Sequence, residues 1–63
     1  MLTVTSANPA DTLARIERFE SRIALYGAVV QGWKGDSVFI SVPQASEMKL
    51  SMFLSNNDFL VKA

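Results

Sequence analysis

The sequence predicts a two-layer α+β domain, with two helices on one face of an antiparallel sheet. Three observations carry that expectation. Two stretches place apolar residues at helical spacing, and four shorter ones are rich in β-favouring residues. Glycine, proline and asparagine fall at the joints between them. No linker, repeat or low-complexity tract interrupts the 63 residues, so one domain spanning 1–63 is expected.

Leu2 to Thr5 alternates apolar and β-favouring residues and reads as a first strand, followed by a turn over Ser6 to Asn8. Asn8-Pro9 then reads as a helix start, with Asn8 capping and Pro9 where no N–H is needed. Leu13, Ile16, Phe19, Ile23 and Tyr26 recur every three or four residues, which predicts a helix from Pro9 to about Leu25 closed by Gly27. At about 100° per residue, Arg15, Arg18 and Arg22 share one flank with Asp11, while Glu17 and Glu20 lie toward the other.

Ala28 to Trp33 and Ser37 to Val42 read as two strands joined at Lys34-Gly35-Asp36. A plain two-residue hairpin would put Val29, Trp33, Val38, Ile40 and Val42 on the core face. Ala28, Val30, Gly32, Ser37, Phe39 and Ser41 would then share the other face, with Gly32 marking a strand irregularity. Pro43 ends the strand, and Gln44 to about Ser55 reads as a second helix, with Ser41 and Gln44 at capping-box spacing. Asn56-Asn57 is expected to turn the chain through left-handed geometry into a strand over Asp58 to Lys62. Right-handed split βαβ connections turn this order into the ferredoxin-like βαββαβ arrangement, whose second sheet face stays open.

Four stretches resemble an ACT domain, a small ligand-binding regulatory module: Leu2-Thr-Val-Thr-Ser6, Leu13-Ala-Arg-Ile16, Tyr26-Gly-Ala-Val-Val30 and Gly35-Asp-Ser-Val-Phe-Ile-Ser-Val-Pro43. The resemblance implies the same fold, edge-to-edge pairing of sheets, and in some members an amino-acid site near the first strand–helix turn. Pro9-Ala10-Asp11-Thr12 stands where that family places a glycine.

The chemistry available to the chain is restricted. With no histidine and no cysteine, Ser-His-Asp and Cys-His nucleophiles, disulfides and the usual zinc sites are excluded. The glycines form no phosphate-binding loop, and Lys34, Lys49 and Lys62 sit among polar neighbours or near an end rather than in a pocket that would activate a lysine. The expectation is a non-enzyme without a cofactor. Six basic and six acidic residues cancel, which disfavours nonspecific nucleic-acid binding and tolerates self-association. No apolar run reaches the length of a membrane helix, and no signal peptide is evident, so a cytoplasmic protein is expected.

Two surfaces stand out as binding candidates. One is the arginine edge of the first helix, Arg15, Arg18 and Arg22, with Asp11 expected to pair with Arg15. The other is the second helix, where Ala45, Met48 and Met52 oppose Leu50 and Leu54, with Phe53 between. A helix in two layers buries one side, so Leu50, Phe53 and Leu54 are assigned to a partner, with Phe39 on the open sheet face as a further contact. Trp33 is assigned to the core. The resulting expectation is a protein-binding module, also a homodimer, that regulates or inhibits its partner by occupying its surface. Small accessory proteins of phages and mobile elements, inhibitors of CRISPR proteins included, share this size and composition. An ACT-like metabolite sensor and a nucleic-acid binder using the arginine edge are the alternatives.

Overall fold

A computed structural model describes residues 1–62. In chain order the elements are β1 (Leu2–Ser6), α1 (Thr12–Ala24), β2 (Val29–Lys34), β3 (Ser37–Ser41), α2 (Gln44–Ser55) and β4 (Phe59–Lys62). The sheet runs β2-β3-β1-β4 with every neighbouring pair antiparallel, which is the ferredoxin-like βαββαβ fold. No helix of the described residues is long and apolar enough to cross a membrane.

Alternation along β1 explains its central place. Leu2, Val4 and Ser6 point to the helices and are buried, while Thr3 and Thr5 face the open side. The core joins them to Val38 and Ile40 of β3, Phe59 of β4, Ile16 and Ile23 of α1, and Leu50 and Leu54 of α2. Phe19, Tyr26 and Phe53 wall it at the helix–helix seam, with the Phe53 ring centroid 5.8 Å from Phe19 and 5.7 Å from Tyr26.

α1 starts later than its sequence suggests. A 3-10 turn over Pro9–Asp11 comes first, and Asn8 makes no side-chain cap. No side chain caps α1 either; the Thr12 hydroxyl instead links the helix start to β1, accepting the Ser6 N–H at 2.9 Å and donating to the Pro9 carbonyl at 2.8 Å. Gly27 closes the helix at φ 73°, and Pro43 Cγ would stand 3.3 Å from a Cβ there. The capping box expected at Ser41 and Gln44 is not made, since no side chain caps α2. At the far end of α2, Asn56 is right-handed and Asp58, at φ 64°, takes the left-handed position expected of the asparagines.

The two faces of β2 differ from the simple hairpin expectation. The register pairs Val30 with Ile40 but Gly32 with Phe39, so Gln31 is an extra, bulged residue. One extra residue reverses the parity of everything before it. Val30 therefore faces the helices and Ala28 is buried, while Val29 is exposed on the open side. Beyond the bulge, Trp33 pairs with Val38 and so keeps the helix-side orientation, but it does not join the core expected of it: on the edge strand β2 it is 52% exposed. Gly35 turns the hairpin at φ 61°.

Candidate functional site

Each residue assigned to a partner from sequence has a definite place in the fold, and several belong to the interior. Leu50 and Leu54 are 0% exposed and form the floor of α2 against the sheet. Phe53 is half-buried among the seam aromatics. These three side chains span one arc of α2, and that arc carries more apolar surface than the methionine arc opposite, so it wins burial. The exposed side of the helix is instead Met48 (76% exposed) and Met52 (60% exposed).

The arginine edge divides in the same way. Arg15 is committed within the molecule: its guanidinium donates to Ser6 Oγ at 3.1 Å, to the Asp58 carbonyl at 3.2 Å and to the Asn57 carbonyl. It also lies 4.3 Å from the Phe59 ring centroid. Arg15 thereby ties α1 to the α2–β4 turn, and the pairing expected with Asp11 does not form. Asp11 accepts from the Asn8 amide at 3.0 Å instead. Arg18 and Arg22 remain exposed, with Arg22 5.7 Å from the Phe19 ring centroid. Phe39 lies on the open face, half-buried, in register with Gly32 and Thr3. The Arg18–Arg22 flank of α1 and Phe39 on the open sheet face lie on opposite layers, and neither forms a surface with the buried Leu50 and Leu54.

A different surface emerges between α1 and β2. Trp33 and Leu13 stand beside each other there, 52% and 40% exposed. On one side of them a groove of about 300 Å³ has Ile16, Val30 and Val38 at its base and Glu17 and Glu20 on its helical wall. On the other side a hollow of about 390 Å³ lies against Pro9, Ala10, Gly35 and Asp36. The bulge at Gln31 shapes the site, because it lets Val30 and Trp33, three residues apart, project to the same side. In the sequence only Gly32 signals this irregularity, and a glycine does not reveal that the facing of Val30 is reversed.

No group of three or more carboxylates among the described residues could hold a metal ion. The hollow beside Pro9 lies where the ACT resemblance implies a ligand, and Asp36 is the one charged side chain lining it. Comparison with protein-family models, curated proteins and solved structures finds no match.

Proposed function

We infer that the chain is a protein-binding module that regulates or inhibits a partner by occupying its surface, with the α1–β2 groove as its contact. The observation that supports this is Trp33, a large aromatic side chain left half-exposed beside Leu13 on the helix side of the edge strand β2. Tryptophan supplies much contact area at low entropic cost and recurs among residues that dominate binding energy. Trp33 contributes little to the core, so its truncation separates binding from folding. Trp33→Ala should leave the far-UV circular dichroism and cooperative melt intact while abolishing retention of a partner that the wild-type chain holds. A variant that retains the same partner as well as wild type refutes the groove as the contact.

Self-association has its own available face in Met48 and Met52. Light scattering at two concentrations, on wild type and on Met48→Glu/Met52→Glu, tests it. A concentration-independent monomer in both removes the homodimer.

A further inference from the structure

We propose that the α1–β2 groove receives a cationic, amphipathic segment of the partner protein. An apolar side chain sits over Ile16 and Val30 against Trp33, and a lysine or arginine meets Glu17 and Glu20. This rests on the protein-binding reading and names the partner's chemistry.

Charge distribution carries the proposal. The chain has no net charge, but the charges are sorted by place. Glu17 and Glu20 line the groove on one side of Trp33 and Asp36 lines the hollow on the other, while no lysine or arginine lines either. The arginines of α1 lie on its other flank, where Arg15 reaches Asn57 and Asp58. Lys34 pairs with Ser37 in the register that faces the open side of the sheet. Neither Glu17 nor Glu20 takes part in a side-chain hydrogen bond among the described residues. The apolar floor is thus rimmed by free carboxylates, and the aromatic face of Trp33 adds affinity for a cation.

The same features weigh against other occupants. Two copies meeting groove to groove about a two-fold axis would set Glu17 and Glu20 against themselves. A nucleic-acid backbone would meet the same repulsion. Strand addition to the exposed edge of β2 is discouraged by the bulge, which breaks the regular row of backbone donors and acceptors. A segment that docks by its side chains, as an amphipathic helix does, fits what remains.

The test uses two short tryptophan-free peptides of the same amphipathic pattern, leucines on one face and either lysines or glutamates around them. Trp33 is the sole tryptophan of the chain, so its emission and its indole N–H resonance report the groove directly. The lysine peptide should shift both signals saturably and bind at least about tenfold more tightly than the glutamate peptide. The preference should shrink as salt rises from about 0.05 to about 0.5 M. Glu17→Lys/Glu20→Lys should reverse it, and Glu17→Gln/Glu20→Gln, the milder change, should erase it, with circular dichroism verifying the fold of both. Equal binding of the two peptides at Trp33 overturns the cationic partner while leaving the groove as a protein-binding surface. Failure of both peptides to move Trp33, or shifts confined to Met48 and Met52, overturns both readings.

Discussion

Arginine 15 offers the sharpest test of how the fold is held, because its neighbour Arg18 is a matched control. Arg15→Ala and Arg18→Ala remove the same charge from the same helix, yet only Arg15 has partners in the structure. Its guanidinium makes the bonds to Ser6, Asp58 and Asn57 and stacks on Phe59. The side chain is half-exposed, so water replaces part of what is lost, and each hydrogen bond is worth about 1 kcal/mol net rather than its larger buried value. The stacking adds about 0.5–1 kcal/mol. Allowing for incomplete additivity, the expected loss is about 2–3 kcal/mol, or about 10–20 °C in Tm for a domain this small. Arg18→Ala should stay within about 0.5 kcal/mol of wild type. Arg15→Lys should recover less than half of the loss, because an ammonium cannot reproduce the planar fork. Thermal melts by far-UV circular dichroism give all three numbers. Equal melting of the Arg15→Ala and Arg18→Ala variants would refute the clamp.

Leu54→Ala should cost about 2–5 kcal/mol and leave much of the chain unfolded, whereas Met52→Ala one arc away should change the urea midpoint little. Gly27→Ala should lose about 1–2 kcal/mol in the same titration, since a side chain there takes a left-handed φ and presses on Pro43. Asp58→Gly should raise Tm by a few degrees, relieving the left-handed aspartate while keeping the carbonyl that Arg15 and Ala7 use; Asp58→Val should lower it.

The element order was readable in the sequence because periodicity and punctuation agreed at nearly every joint. The apolar stripe of α1, the Gly27 cap and the alternation of β1 and β3 each point one way. The facing of Val29 and Val30 was not readable by simple alternation, since a single bulged residue reverses it. Which side of α2 is buried was partly readable: Leu50, Phe53 and Leu54 outweigh two methionines and an alanine, but both arcs are apolar and the layer beneath decides. Arg15 shows a different limit. Its sequence neighbours suggested a local pair with Asp11, while the partners it takes lie 42 and 43 residues away. The groove stayed hidden for a related reason, because its walls come from α1 and from a strand whose twist depends on Gln31.

The position of β1 has a consequence for how the chain assembles. It comes first in the sequence but lies inside the sheet, between β3 and β4. Only β2 and β3 close through a tight turn; both edges of β1 wait for segments far along the chain. Until β4 docks, Leu2–Ser6 presents an uncharged, β-favouring border with nothing beside it. The strand that fits that border in one molecule fits it equally well in another. Exchange of β4 between copies is therefore the misassembly this topology invites, and the turn at Asn57 and Asp58, whose carbonyls Arg15 holds, is where the chain would have to open for it.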